Sequence, residues 1–309
     1  MNKAYKTATA LLLAAVFLTL YIKAAKASDL LGYQEPEAHS QEEVVLYFRY
    51  DNSAYLEQET RVLSLMATQG LEKALVQALL DGPAASGLHS LFPEGTQVVS
   101  VLPEGSRLFV TLSGDVMKAM PNENITSEQG KQAAILRRTL AMAALVNTLT
   151  ERGAYQSVQV LVINQPGLSN SLRLSQRYYL QNDDSIPPPL TRMEEAIITP
   201  GRAAAHMLSL WQNQNLRGFI SHLTTRAQEG QDGQTLDTAA LPLLKQFSTS
   251  QGSLAPDHSY ALVMADLVLT LRDGQETTVS AFPLVLNRSQ GVWTLSLPSI
   301  LKLLQEAGV

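Results

Sequence analysis

Between residues 43 and 165 the spacing of apolar residues changes repeatedly from that of a β-strand to that of an α-helix. Residues 44–48 are a continuous β-prone run, which predicts a strand covered on both faces. Residues 71–80 are apolar at i, i+3, i+4, i+7 and i+8 and stop at Gly82-Pro83, which predicts a helix with glycine after its last turn. This region therefore combines helices with a sheet.

Three further elements complete the pattern. Residues 98–102 and 108–112 predict two strands of an antiparallel hairpin, because the four residues between them favour a turn. Thr126 followed by Gln129 resembles a capping box, which would open a long helix. A last strand is expected at residues 158–163. The order β-α-β-β-α-β predicts a split, two-layer α+β sandwich.

Residues 200–309 predict helices first and long strands afterwards. Alternating apolar positions along residues 261–267 indicate a curved antiparallel sheet with helices on its concave side. Asp273-Gly274 is a strong hairpin turn between the first two strands. The first predicted helix begins at Pro200, and three further helices are expected at residues 216–223, 236–247 and 299–306. The predicted strands span residues 260–271, 277–287 and 292–297. The whole chain is expected to be α+β.

The first residues are typical of a targeting segment. Lys3 and Lys6 precede an uncharged, largely apolar stretch at residues 7–22. This stretch is longer than a usual signal core of about 7–15 residues and shorter than a membrane span of about 20. A signal cleaved after Ala27 and an uncleaved membrane anchor therefore both remain open. In either case we expect the rest of the chain outside the cytoplasm.

A domain division follows from these patterns. An acidic, polar tether follows the targeting segment, and the triplet 187–189 of prolines is typical of a semi-rigid spacer. The predicted parts are the signal or anchor at 1–27, the tether at 28–42, the first α+β domain at 43–165, the linker at 166–199 and the second α+β domain at 200–309.

Composition excludes several classes of function. The chain contains no cysteine, so disulfides, cysteine-ligated metals, thiol nucleophiles and a lipidated cysteine are excluded. The net charge is −5, and loss of the lysines in residues 1–27 would lower it further. An acidic protein is not expected to bind nucleic acid, since phosphate binding requires clustered Lys and Arg. Residues 7–22 are thus the expected route of membrane attachment.

No pattern in the sequence predicts catalysis, a cofactor or a metal. The five histidines are scattered, and none has the spacing of a metal-binding helix. Ser299 and Lys302 match S-x-x-K, but the serine after Pro298 fits a helix N-terminus better. Arg137 and Arg138 are expected on a solvated helix edge, with a partner contact as the second interpretation.

Glu59 and Arg61 are the most informative charged pair. Two residues apart, their side chains point the same way if the chain is extended, and an Arg fork could hold the carboxylate. One interpretation is structural, namely that the pair fixes the long loop after the first strand. The other is that the pair contacts a partner.

Three stretches of the first domain carry a family resemblance. They are residues 46–48 followed by 55–61, residues 79–83 with 88–96, and residues 110–113. In these stretches the chain resembles the GerMN family of sporulation and germination proteins. The family-motif residues, which are also candidate partner contacts, are Tyr55, Glu59, Arg61, Gly82, Pro83, Pro93, Gly95 and Thr96.

The resemblance implies a non-catalytic extracytoplasmic module that is related to the ring-building domains of secretion systems. Family members are often lipoproteins with two copies of the domain, whereas this chain has one copy and no cysteine. The second domain is more weakly similar to an NTF2-like cone, through the order of its elements. Such cones hold enzymes, ligand pockets and dimerisation surfaces alike.

The sequence thus predicts a non-enzymatic protein that acts by protein–protein contacts in cell-envelope or spore assembly or germination. Its expected partners are envelope or spore-complex proteins, with self-association as a further option. The alternative is a module that binds a cell-wall glycan or small ligand in the C-terminal cone. An exposed apolar sheet face over a filled cone would favour assembly, and a deep polar and aromatic pocket would favour ligand capture.

Overall fold

The computed structural model describes residues 17–19, 39–66, 70–121, 123–163, 171–224, 236, 241–289 and 292–309. The chain divides into two compact units, of which one comprises residues 1–40 with 64–68 and the other comprises residues 41–63 with 69–309. Most of the predicted targeting segment lies outside the described residues, and residues 17–19 are helical and exposed. Among the helices in the described ranges, none is long and apolar enough to cross a bilayer.

The α+β fold class is confirmed. The elements of residues 39–191, which we call the first part, form two sheets with helices. One sheet has the order β2-β1-β3, and the other has the order β4-β5-β6-β7 with β8 also paired to β6. The strands are β1 (His39–Tyr50), β2 (Leu56–Met66), β3 (Leu88–His89), β4 (Val98–Glu104), β5 (Arg107–Ser113), β6 (Ser157–Ile163), β7 (Leu172–Arg173) and β8 (Leu190–Thr191). The helices are α1 (Leu71–Asp81) and α2 (Glu128–Thr150).

The predicted hairpin is confirmed, with Val110 of β5 opposite Val101 of β4. On its other side β5 pairs in parallel with β6. The prediction of a long loop after the first strand is wrong, because residues 56–66 form strand β2. Motif residues Glu59 and Arg61 therefore lie on a strand.

Helix α2 begins one residue later than the capping box predicted. Ser127 is the N-cap, and its side-chain oxygen accepts a hydrogen bond from the Gly130 backbone N at 3.1 Å. From residue 140 to residue 150 every position is buried, since the helix is covered on all sides. Residues 140–146 and Leu149 of this helix belong to the hydrophobic core.

The structure differs from the predicted spacer at residues 171–199. Strands β7 and β8 both pair with β6, and Tyr178 between them is fully buried. The side chain of Asn147 in α2 forms two hydrogen bonds with the backbone of Met193. Asn147 Oδ1 accepts from the Met193 N at 2.8 Å, and Asn147 Nδ2 donates to the Met193 carbonyl at 3.1 Å. These residues pack on the first part because buried side chains and backbone hydrogen bonds fix them there.

Residues 200–309, which we call the C-terminal part, form a curled sheet with helices on one face. The sheet is antiparallel except for the parallel pair β14–β9. Its strand order is β10-β12-β13-β14-β9, and β11 pairs with β12. The strands are β9 (Leu223–Thr224), β10 (Leu243–Thr249), β11 (Ser253–Leu254), β12 (Tyr260–Thr270), β13 (Glu276–Ser289) and β14 (Val292–Ser296). The helices are α3 (Pro200–Gln212), α4 (Leu216–Ser221) and α5 (Leu297–Ala307).

The alternation predicted along β12 is present, with residues 261, 263, 265 and 267 buried and residues 260, 262, 264 and 266 exposed. The helix predicted up to Phe247 is wrong over residues 243–247, which belong to strand β10 and pair with β12. Pro242 comes directly before this strand. Because Pro242 is not inside a helix, its lack of an N–H group breaks no helical hydrogen bond.

Aromatic side chains fill the space between this sheet and its helices. Trp211, Phe219, Phe282 and Trp293 are all buried. Trp211 donates an indole hydrogen bond to the Pro242 carbonyl at 3.0 Å, and its ring centroid is 5.4 Å from that of Phe219. The concave side is therefore part of the core.

Candidate functional site

Polar side chains join the first two strands to the end of the C-terminal sheet. Tyr50, at the end of β1, donates its hydroxyl hydrogen bond to the backbone carbonyl of Trp293 in β14 at 2.8 Å. Arg288 in β13 forms an ion pair with Glu57 in β2, and its guanidinium lies 5.3 Å from the Trp293 ring centroid. This junction brings together residues that are more than 200 positions apart in the sequence.

Glu57 is the most deeply buried acid of the junction, at 1% exposure. Its Oε1 accepts a hydrogen bond from the Gln58 backbone N at 2.9 Å in addition to the contact with Arg288. Within the described part of the chain its Oε2 has no hydrogen-bond partner. Burial raises the pKa of Glu57 to about 7, and the positive charge of Arg288 only partly opposes this effect.

A polar cleft of about 580 Å³ lies beside this ion pair. It is lined by residues 58–61 of β2, residues 84–85 after α1, the turn at residues 257–259, and Arg288. Two motif residues, Glu59 and Arg61, thus face the cleft.

The Glu59 and Arg61 side chains are paired, in agreement with the interpretation that they point the same way if the chain is extended. Arg61 Nε donates to Glu59 Oε1 at 2.9 Å, and a second guanidinium nitrogen also contacts this oxygen. Glu59 Oε2 accepts hydrogen bonds from the backbone N of Ala84 at 2.8 Å and of Ala85 at 2.9 Å. Arg61 also donates to the Gly82 carbonyl at 3.0 Å. The pair fixes the loop after α1, rather than the loop after the first strand.

The remaining motif residues lie in other turns. Gly82 ends α1 at a φ of +93°, and Pro83 follows it in the loop held by Glu59. The Pro93 carbonyl accepts two hydrogen bonds from Thr96, one from the backbone N at 3.2 Å and one from the side-chain hydroxyl at 2.7 Å. Gly95 lies within this turn and has a φ of +83°. These contacts are structural, and a role of these residues in partner contacts stays a prediction.

Tyr55 is a motif residue that contacts the C-terminal part. Its ring lies under the Arg202 guanidinium, at 4.9 Å from the centroid. Its backbone carbonyl accepts a hydrogen bond from the Tyr50 backbone N at 2.9 Å. Tyr55 therefore supports the turn that joins β1 to β2.

The expectation that Arg137 and Arg138 lie on a solvated edge is wrong. Both side chains are buried and share the carboxylate of Glu123, at 2.6 Å from Arg137 and 2.9 Å from Arg138. Arg137 also donates to the Leu91 carbonyl at 2.8 Å. Because Leu91 belongs to the motif loop, α2 helps to hold this loop in place.

Four side chains from distant segments meet at the β1–β2 turn. Asp51 Oδ2 lies 2.8 Å from His206 Nε2 and 3.9 Å from His222 Nε2, while Asp51 Oδ1 lies 3.8 Å from His89 Nε2. The side chains of Asp51, His206 and His222 are 11–23% exposed, and that of His89 is half exposed. The hydrogen bond from His206 holds the pKa of Asp51 well below its usual range. We call these four residues the His–Asp cluster.

The sequence did not predict the His–Asp cluster. His206 lies 155 residues from Asp51, and no pair of histidines has the i, i+4 spacing of a helical metal motif. Only the tertiary structure brings the first strands against α3 and the end of α4. The cluster nevertheless holds three of the five histidines in the chain.

The fold and the junction define a two-part α+β protein, with the motif loops in its first part. In a comparison with protein families, the Germane family, described as "Sporulation and spore germination", matches residues 45–167. Residues 45–167 therefore form a GerMN-type domain, as the three sequence stretches indicated. The NTF2-like assignment of the second part is not confirmed.

Comparison with solved structures gives weaker likenesses. The tandem GerMN domains of the sporulation protein GerM from Bacillus subtilis match with 18% identity and a TM-score of 0.32, covering 50% of this chain and 45% of that chain. The present chain thus spans about half the length of that structure. The first GerMN domain of the same protein matches with 15% identity and a TM-score of 0.27, covering 43% of this chain and 97% of that one. No curated protein matches the chain.

Proposed function

We propose that this protein is a non-enzymatic, extracytoplasmic component that acts by protein–protein contacts in sporulation-related envelope assembly or in germination. The family match supports the biological process, because the matched family is described by sporulation and spore germination. The lysine-flanked apolar stretch at residues 7–22 supports the location outside the cytoplasm. Its expected partners are proteins of the same envelope or spore complex, or a second copy of this chain.

The observation that carries the proposal is an apolar outer face on the C-terminal sheet. Tyr260, Leu262 and Met264 on β12 are 39–50% exposed. Pro283 and Val285 on β13 lie opposite Met264 and Leu262, so they share this face. We call these five residues the outer-face patch. Contiguous apolar surface of this kind is typical of contact surfaces between proteins.

Burial on the opposite side of the sheet supports the same choice. The aromatic side chains that could have lined a pocket are packed against one another and against the helices. Capture of a glycan or small ligand in the C-terminal cone therefore receives less support than assembly through the outer face.

The proposal is tested by cross-linking in the cells that make the protein. A photoreactive amino acid replaces Leu262 in the full chain, and the cells are irradiated during sporulation. We expect a discrete cross-linked species that contains a second protein or a second copy of the chain. A matched probe at Thr278, an exposed polar position of the same sheet, reports random proximity.

A functional variant complements this experiment. Leu262→Ser with Met264→Ser removes apolar surface from exposed positions, so the fold should remain intact by circular dichroism. We expect this double variant to lose the cross-link and to fail to replace the wild type in sporulating cells. Equal cross-linking from positions 262 and 278, with full complementation by the double variant, would contradict the proposal.

A further inference from the structure

The ligand atoms of the His–Asp cluster are spaced like those of a metal site. In a tetrahedral zinc site with bonds of about 2.0–2.1 Å, neighbouring ligand atoms lie about 3.4 Å apart. Asp51 Oδ2 lies 2.8 and 3.9 Å from the Nε2 atoms of His206 and His222, and one ligand atom from each of the three side chains lies within 4.8 Å of the others. His89 Nε2 is 3.8 Å from the other carboxylate oxygen. His89 lies outside the group of three whose ligand atoms are mutually within 4.8 Å, so its side chain would have to move to reach an ion held by the other three.

The hydrogen bond of His222 orients its ring for a cation. Its Nδ1 atom lies 2.8 Å from the Gly218 carbonyl, which can only accept, so Nδ1 carries a hydrogen. In the neutral ring the Nε2 atom then has a free lone pair, which faces the Asp51 carboxylate. Two acceptors that face each other repel, and a cation between them removes this repulsion. Metal-bound histidines typically donate their second ring nitrogen to a carbonyl in this way.

The surroundings fix the ligands in place. The Tyr50 ring centroid lies 5.7 Å from that of His206 and 6.0 Å from that of His222, and its hydroxyl is anchored on Trp293. Asp51 has a φ of +44°, which is uncommon for a residue other than glycine, and its backbone N donates to the Gly87 carbonyl at 2.8 Å. Strained backbone held by its neighbours is a frequent feature of binding sites.

From this arrangement we propose that Asp51, His206 and His222 bind a divalent transition-metal ion of the zinc type, with His89 as the fourth ligand. Three imidazoles and one carboxylate form a ligand set that suits zinc in four-coordinate geometry. Calcium and magnesium are disfavoured, because they require six or more oxygen ligands and this cluster supplies one carboxylate.

The proposed ion would fasten the two parts of the protein together. Asp51 and His89 lie within the GerMN-type residues 45–167, whereas His206 and His222 lie beyond them. The metal would therefore act as a structural clamp beside the Tyr50–Trp293 hydrogen bond. This inference is independent of the proposed assembly function, since it concerns a different surface.

Zinc titration of the full chain tests the proposal. The protein is purified without a polyhistidine tag, stripped with a chelator and titrated with zinc chloride in a calorimeter. Bound zinc is then counted by mass spectrometry after dialysis. We expect one zinc per chain, and His206→Gln and His222→Gln should each weaken binding tenfold or more. His89→Gln should weaken binding less, because its side chain is half exposed.

A matched control separates this site from general histidine binding. His258 lies outside the cluster at a φ of +58°, a conformation that asparagine tolerates, so His258→Asn should bind zinc like the wild type. Zinc should raise the thermal midpoint of the wild type and of His258→Asn more than that of His206→Gln or His222→Gln.

If a cluster variant does not fold, nuclear magnetic resonance of the wild type tests the proposal without any substitution. Histidine side-chain nitrogen resonances of the wild type should shift on zinc addition for three residues and stay in place for the others. The proposal is overturned if the wild type retains no zinc, if the shifted histidines are not those of the cluster, or if the double variant His206→Gln/His222→Gln folds and binds zinc as tightly as the wild type. Protonated His222 in an ion pair with Asp51 would then account for the geometry.

Discussion

At the scale of single residues, Glu57 gives the protein an unusual dependence of stability on pH. Its pKa in the folded protein is raised to about 7 from an ordinary value of 4.5, chiefly by burial. Between these two pH values the folded state keeps a proton on Glu57 that the unfolded state has lost. The contribution of Glu57 to the free energy of unfolding is therefore fully present below pH 4.5 and is lost as the pH rises to 7. At about 1.4 kcal/mol per pKa unit the loss is at most roughly 3.5 kcal/mol.

Urea unfolding of wild type and Glu57→Gln at several values between pH 4.5 and 7.5 measures this loss. We expect the free energy of unfolding to fall more steeply for the wild type than for Glu57→Gln. Glu104→Gln, at an exposed position, should follow the wild type. Parallel curves for wild type and Glu57→Gln would show that Glu57 stays ionised in the folded protein.

Glu123 has a different role, because it neutralises two buried cations. Glu123→Gln would leave the guanidinium groups of Arg137 and Arg138 buried without a negative charge. Breaking a buried ion pair by removing one partner costs about 3–5 kcal/mol. We expect a loss near the lower value, measured by urea unfolding at pH 7, because Arg137 keeps its hydrogen bond to Leu91. Glu128→Gln is the control, since Glu128 is exposed and accepts a hydrogen bond from the Gln132 amide. Similar losses for both variants would contradict this role of Glu123.

At the scale of elements, the end of α1 depends on a backbone conformation that only glycine adopts readily. Gly82 has φ +93° and ψ 176°, and a Cβ there would lie 2.6 Å from Ser90 Oγ. A residue other than glycine in this backbone conformation costs about 1–3 kcal/mol of strain. We expect Gly82→Ala to lower the free energy of unfolding by about 2–3 kcal/mol in urea denaturation.

Gly308 provides the matched comparison for this substitution. It follows α5 in the ordinary left-handed region, at φ +86° and ψ 24°, and a Cβ added there would meet no atom within 4 Å beyond its chain neighbours and its own helix. Gly308→Ala should therefore cost about 1 kcal/mol, as is usual for alanine in that region. An equal cost at both positions would mean that the conformation of Gly82 is not what limits the α1 terminus.

Elements with a complete local signal could be predicted from the sequence, and those that depend on distant partners could not. Helix α1 has both its apolar spacing and its Gly-Pro end, and the hairpin β4–β5 has its turn. Strand β10 has a helix-like apolar spacing, and only pairing with β12 makes it a strand. The Glu59–Arg61 pair followed from strand geometry, whereas the His–Asp cluster required contacts between segments 155 residues apart.

At the scale of the whole molecule, the two parts are expected to unfold together. Both tryptophans, Trp211 and Trp293, lie in the C-terminal part, so their fluorescence reports on that part. The far-ultraviolet circular dichroism reports on the helices of both parts, among which α2 of the first part has 23 residues. Because Tyr50 and Glu57 of the first part bond directly to Trp293 and Arg288, the two signals should change at the same urea concentration.

The substitution Tyr50→Phe tests this coupling directly. It removes one buried hydrogen bond to the Trp293 carbonyl and keeps the ring, so the expected cost is about 1 kcal/mol. Although the altered residue lies in the first part, the fluorescence midpoint of the C-terminal part should fall together with the circular dichroism midpoint. Tyr260→Phe, on the half-exposed outer face, should shift neither. If Tyr50→Phe lowered the circular dichroism midpoint alone, the two parts would be independent units, and the junction would not transmit stability between them.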